Sequence, residues 1–144
     1  MSSYLTFYLV PKKDKEETKE PLALMSYSRS SAIYQVFYEN NDIAYKGNDD
    51  KPNYTELTKD LVNKVVNAVK TDYDDAQKNF AARMDAYKSI KLEGETFDTY
   101  VEDFQSTTSY LEELKETIAQ VEFIASMVED LEYSDFEKIL INID

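Results

Sequence analysis

Carboxylates are the side chains in this sequence that could do chemistry. Asp72, Asp74 and Asp75 stand close together, and Asp49 and Asp50 form a second cluster. Oxygen ligands of this kind bind Mg²⁺ or Ca²⁺. On one continuous helix, however, Asp72 and Asp74 project to different sides. The Asp49–Asp50 pair lacks the spacing and the glycine of a calcium loop. We therefore predict no metal site and no cofactor.

The composition excludes most other catalytic arrangements. The 144 residues include no histidine and no cysteine. The chain therefore lacks the usual general base, a thiol nucleophile and the commonest transition-metal ligand. Two glycines, Gly47 and Gly94, cannot form a phosphate-binding loop. We predict that the protein is not an enzyme, and a carboxylate- or metal-dependent enzyme is the remaining catalytic alternative.

The charge is distributed very unevenly along the chain. The formal net charge is −13. Residues 1–92 hold 14 basic and 14 acidic residues, whereas residues 93–144 hold 2 basic and 15 acidic residues. The whole imbalance therefore lies in the C-terminal third, and a field with a direction steers association with partners.

This acidity predicts the kind of partner. Phosphate contacts need clustered Lys and Arg, so direct binding of nucleic acid is not expected, and neither is docking on an anionic membrane. A basic protein fits better, and a nucleic-acid-binding protein is one such partner; in the sharper form of this hypothesis the chain is a DNA-mimic inhibitor. The alternative is a solvated acidic surface that only keeps the protein in solution. The predicted partner-binding residues are Glu112, Glu113, Glu116, Glu122, Glu129, Asp130 and Glu132.

The two ends of the chain have the alternating pattern of strands. Residues 3–10 and 22–27 predict an N-terminal hairpin, and residues 42–46 a short third strand. Between them, Ser30 or Ser31 can cap a short helix that carries Ile33, Val36 and Phe37. Residues 136–144 are rich in β-branched side chains and predict a strand that returns to the same sheet.

Helical spacing dominates the middle of the chain. The pattern predicts one helix over residues 55–91, capped by residues 53–55, and a second over 96–131, with Gly94 at the C-terminus of the first. A kink is one interpretation of residues 71–75. The second helix carries two sets of residues spaced by seven, which predict a coiled-coil core. One set is Phe97, Phe104, Leu111, Ile118 and Ala125, and the other is Tyr100, Thr107, Leu114, Val121 and Val128.

These elements predict an α+β fold in one domain, residues 1–144. A small, mostly antiparallel sheet module (1–54 and 135–144) carries a short helix and a long antiparallel two-helix, coiled-coil-like arm (55–132).

We predict an intracellular, cytoplasmic protein, whose composition suggests a phage or mobile-element product. The main functional hypothesis is a non-catalytic binding module with an acidic arm. The alternative is a structural subunit, for example of a virion, that packs through its arm or sheet edge, and a homo-oligomer is compatible with both.

Overall fold

The sheet joins the two ends of the chain. A computed structural model describes residues 3–13, 20–40 and 54–144. Strands β1 (Tyr4–Pro11), β2 (Leu22–Ser28), β3 (Thr55–Glu56) and β4 (Phe136–Ile143) form one antiparallel sheet in the order β2-β1-β4-β3. The C-terminal strand therefore lies beside the N-terminal strand, which confirms the predicted return to the sheet.

Apolar and polar residues alternate along β1 and β4, the two central strands, so the apolar side chains lie on one face of the sheet. Leu5 and Phe7 of β1 are completely buried, and Phe7 pairs with Ile141 of β4. Successive side chains of a strand point to opposite faces, so Ile139 and Ile141 lie on the same face and are also buried. This face is the side of the sheet that the helices cover.

Helix α1 (Ala32–Asn40) closes one end of this core. The Ser31 hydroxyl accepts a hydrogen bond from the backbone N–H of Tyr34, at 3.3 Å, as expected of a capping residue. Phe37 of α1 is completely buried, and its ring packs edge-on against Phe7 with 5.5 Å between the ring centroids. The short helix predicted after the hairpin is thereby confirmed.

The prediction of a helix from residue 55 is wrong at its start. Thr55 and Glu56 are paired with β4 instead, and the backbone N–H of Leu57 donates to Ile139 O at 2.8 Å. Leu57 is buried, so the pairing also adds an apolar side chain to the core. The helix begins after Thr58, whose hydroxyl accepts from the N–H of Leu61.

Two long helices form the predicted hairpin. Helix α2 (Lys59–Lys88) runs unbroken through residues 71–75, and α3 (Glu95–Glu129) is followed by a 3-10 helix (Asp130–Tyr133). Gly94 does not end α2, because Ser89 is its C-cap. It precedes α3 instead, with φ at +54°, a conformation that side-chain-bearing residues rarely adopt.

The two heptad sets of α3 are not equally buried. Leu114, Val121 and Val128 of the second set are buried, and Thr117 and Ile124, outside both sets, are buried with them. The first set is only half-buried or exposed along its whole length. The predicted coiled-coil core is therefore displaced around the helix, because the sheet and α1 pack with α2 against this side of α3.

These elements confirm an α+β fold with a helical hairpin. The boundary of the sheet is shifted relative to the prediction, since Thr55 and Glu56 belong to the sheet and not to the arm. The strand predicted at 42–46 lies outside the described residues.

Candidate functional site

The acidic residues predicted to contact a partner lie on α3 and on the 3-10 helix after it, and all seven are exposed. Glu112 and Glu116 are four residues apart, so they lie on the same side of α3, with Glu113 adjacent. The basic residue between positions 112 and 116 is Lys115. Its Nζ lies 3.7 Å from Glu112 Oε1, and both side chains are exposed. Three glutamates against one lysine leave this part of the helix strongly negative.

Glu122 differs from these three because it contributes to the hairpin. Its Oε1 lies 2.9 Å from Nζ of Lys70, which belongs to α2. Both side chains are about half exposed, at 51% for Lys70 and 50% for Glu122. Exposed ion pairs stabilise a fold only slightly, so this pair joins the two helices but adds little to the free energy of folding. Glu122 is partly neutralised and presents less charge to a partner.

The acidic residues at the end of α3 stand where a helix disfavours negative charge. Glu129, Asp130 and Glu132 follow one another closely, and the last turn of α3 contains no basic residue. Carboxylates near a helix C-terminus oppose its dipole. Lys12 donates to the backbone carbonyl oxygen of Glu132 at 3.3 Å, so a cation from the β1 end lies against this turn. The sequence pattern alone did not predict this contact.

Two exposed aromatic rings accompany the acids, and the sequence analysis missed them. Phe123 is 65% exposed and Tyr133 is 84% exposed. Phe123 belongs to neither heptad set, but the buried Ile124 does not belong to one either, so the heptad pattern gave no signal that Phe123 is a surface residue. Exposed aromatic side chains are frequent anchors in protein interfaces. The acidic surface of α3 therefore combines charge with an apolar group.

A second charged cluster lies farther out on the hairpin and ties α2 to α3. Arg83 Nε lies 3.1 Å from Oδ2 of Asp103, and Arg83 Nη2 donates to the Thr107 hydroxyl at 2.7 Å. The Thr107 hydroxyl in turn donates to Oδ1 of Asp103 at 3.0 Å. The hydrogen bond from Arg83 holds the pKa of Asp103 below its ordinary value, and desolvation followed by the Asp103 charge raises the pKa of Tyr87. Each partner of this cluster is satisfied, which favours an architectural role.

Replacing Asp103 by Asn should lower stability at neutral pH but not at strongly acid pH. Because its pKa is lower in the folded state, Asp103 contributes stability above its unfolded-state pKa and loses it as the pH falls through the folded-state value. Urea unfolding at the two pH values measures this difference. Asp85→Asn, at a carboxylate that is 75% exposed, is the matched control. An equal loss for D103N at both pH values would contradict the electrostatic explanation.

The described residues contain no arrangement suited to holding a metal ion. Within ranges 3–13, 20–40 and 54–144, no group of three or more Asp or Glu residues is placed to do so. Asp72, Asp74 and Asp75 are exposed on the unbroken helix α2, and Asp49 and Asp50 fall outside the described ranges. None of the helices in this part of the chain is both long and apolar enough to span a bilayer.

Comparison of the chain with models of known protein families, with curated proteins and with solved structures gives no match.

Proposed function

We propose that this protein is a non-catalytic binding module whose acidic α3 surface docks on a basic protein. The observation that carries the proposal is the exposed group of Glu112, Glu113 and Glu116, in a helix that holds nine acidic residues and one lysine. We name this group the acidic face. All three side chains are exposed, so their charge acts on the surroundings.

The acidic face has an energetic cost that folding does not require. Glu112 and Glu116 are like charges at i and i+4, a spacing that destabilises a helix slightly. The apolar contacts that hold α3 in place come from other positions, such as Leu114 and Val121. Retaining repulsive charge at exposed positions favours a role outside the fold.

The chemistry of the expected partner follows from the face. Lysine and arginine side chains on the partner supply complementary charge, and such complementarity raises the association rate more than the affinity. The exposed Phe123 offers an apolar anchor on the same helix. A nucleic-acid-binding protein presents a basic surface of this kind, and in that case the acidic face imitates the charge of a phosphate backbone.

Charge reversal tests the proposal. Replacing Glu112, Glu113 and Glu116 by Lys should leave the fold intact and slow association with the native partner at low salt. The effect should shrink at high salt, where the wild-type charge is already screened. The partner would be identified by mass spectrometry after capture from host extract, purified, and followed in real-time binding measurements.

The matched control reverses three acids elsewhere. Asp72, Asp74 and Asp75 are exposed on α2, and their replacement by Lys changes the net charge by the same amount. Only the α3 variant should lose association rate. Unchanged affinity of the α3 variant at low salt would reject the acidic face as a docking site and would place the structural-subunit alternative first.

A further inference from the structure

The first heptad set of α3 is a regular apolar stripe that α2 covers only in part. We name Phe97, Phe104, Leu111 and Ile118 the heptad stripe. Phe97 is 49% exposed and Phe104 is 45% exposed, whereas Leu111 and Ile118 are half-buried. A seven-residue apolar repeat is the pattern by which one helix packs on another. The outer part of the stripe therefore lacks full cover from the described residues.

The outer half of the hairpin has no closed core of its own. From Lys70 to Glu113 no side chain is buried, although all these residues are described. The ring of Phe80 lies 5.9 Å from that of Phe104, and Tyr87 lies 5.2 Å from Tyr100, so the two helices touch along a strip of aromatic side chains. Two helices alone can enclose little apolar surface, and nearer the sheet α1 and the strands supply the missing layers.

The two sides of this outer half differ in polarity. On one side Arg83, Asp103 and Thr107 form the charged cluster. On the other, Phe80 contacts Phe104 and belongs to a shallow groove of about 290 Å³. The groove is lined by Tyr73, Phe80 and Leu111 together with Gln77, Thr108, Glu112 and Lys115. Asp103 and Phe104 are consecutive, so their side chains project about 100° apart. The groove therefore lies on a different side of the hairpin from the charged cluster, and its aromatic and aliphatic residues continue the heptad stripe.

We propose that a second copy of this chain packs on the heptad stripe, so that two hairpins form a four-helix bundle. A heptad repeat specifies a helical partner, and bundles of this kind bury such stripes from facing helices. The charges of the two helices favour a second copy. Helix α3 has nine acidic residues and one basic residue, whereas α2 has five acidic and six basic residues. The α2 helix of another copy therefore has no excess of negative charge, and the strongly acidic α3 does not repel it.

The same charges determine the symmetry. A two-fold axis along the hairpin places α2 of each copy over α3 of the other, with both sheets at the same end. A two-fold axis across the hairpin would place α3 over α3 and bring two strongly acidic helices together. Isologous pairing about the first axis gives every helix antiparallel neighbours and separates the two α3 helices diagonally.

Replacing Phe97 by Ser tests the interface. In sedimentation velocity across a dilution series, the wild-type chain should be a dimer and F97S a monomer. Phe97 has no ring contact with another described aromatic residue, so circular dichroism should show unchanged helicity. Phe123→Ser is the matched control, because Phe123 is an exposed Phe on the same helix outside the stripe, and this variant should remain dimeric. A monomeric wild type, or F97S that dimerises like the wild type, would overturn the proposal.

A spin label at the tip of the hairpin tests the symmetry. The chain contains no native cysteine, so Lys91→Cys, at a side chain that is 82% exposed, provides a unique attachment point. The proposed axis places both tips at one end and gives a short distance between labels. Tips at opposite ends would be separated by about 50 Å, the length of a 35-residue helix, and this result would overturn the arrangement.

Salt separates this inference from the docking of the acidic face. Apolar association between two acidic chains should strengthen or stay constant as salt screens their repulsion, whereas docking on a basic partner should weaken. Dimerisation that weakens steeply with salt would contradict burial of the heptad stripe and would leave the acidic-face proposal unaffected.

Discussion

Replacing Phe37 by Ala should lower the free energy of unfolding by about 3–5 kcal/mol, the usual cost of truncating a buried aromatic residue. Phe37 is completely buried, and its ring packs edge-on against Phe7 in the middle of the sheet. Phe7 in turn contacts Tyr27 of the edge strand β2, with 6.2 Å between ring centroids. Loss of the Phe37 ring would therefore leave a cavity where α1, β1 and β2 meet.

Urea unfolding followed by circular dichroism measures this loss. Phe123→Ala is the matched control, because it removes the same side chain from a position that is 65% exposed. The control should change stability by no more than about 0.5 kcal/mol. Similar losses for the two variants would show that Phe37 is not part of the core.

Replacing Leu114 by Ala should cost about 2–5 kcal/mol, depending on how far the surrounding side chains collapse into the space. Leu114 is 5% exposed and is the outermost buried residue of α3 before the hairpin extends beyond the sheet. Its loss should weaken the packing that attaches the outer half of the hairpin to the core, because no residue farther out on α3 is buried.

Leu22→Ala provides the comparison for this second variant. Leu22 lies at the start of the edge strand β2 and is 55% exposed, so the same truncation should cost little there. Hydrogen exchange adds a local readout, since L114A should raise exchange in the outer half of the hairpin. A loss no larger than that of L22A would place Leu114 at the surface and contradict the packing of α3.

The local pattern of the sequence was sufficient for the type of each long element. Alternation at 3–10 and 136–144 predicted the two central strands, and their inward residues Phe7 and Ile141 are buried as partners. Helical spacing also predicted α1, α2, α3 and the antiparallel hairpin of α2 and α3, and a capping signal at Ser31 predicted the start of α1. These features follow from side-chain geometry within one element, so they can be predicted without knowledge of the rest of the chain.

Pairing between distant residues could not be predicted in the same way. Thr55 and Glu56 precede a helical pattern, and both Thr55 and Thr58 are residues of a type that caps a helix, so the local sequence does not decide between the two starts. They form β3 because β4, more than eighty residues later, offers unpaired backbone groups at the sheet edge. Backbone hydrogen bonds to a remote strand outweigh a local preference, which is why the start of α2 was predicted wrongly.

The heptad sets of α3 also show what the local sequence determines and what depends on the rest of the fold. A seven-residue repeat determines which residues share a side of the helix, but the side that becomes buried depends on what packs against it. Here the sheet, α1 and α2 enclose Leu114 and Val121 together with Thr117. The hydroxyl of Thr117 donates to Glu113 O at 2.8 Å and so carries no unsatisfied group into the core. A polar residue at a core position is invisible to an apolar pattern.

The amino-acid sequence by itself determined that the excess negative charge lies in the C-terminal third and that it avoids the apolar positions of α3. Only the tertiary structure decided which of these charges form ion pairs across the hairpin and which stay exposed. Glu122 meets Lys70 and Asp103 meets Arg83 across the hairpin, whereas Glu113 and Glu116 remain on its outer surface. The reason is that formal charge belongs to single residues, while ion pairs depend on distances that arise only when two helices lie side by side.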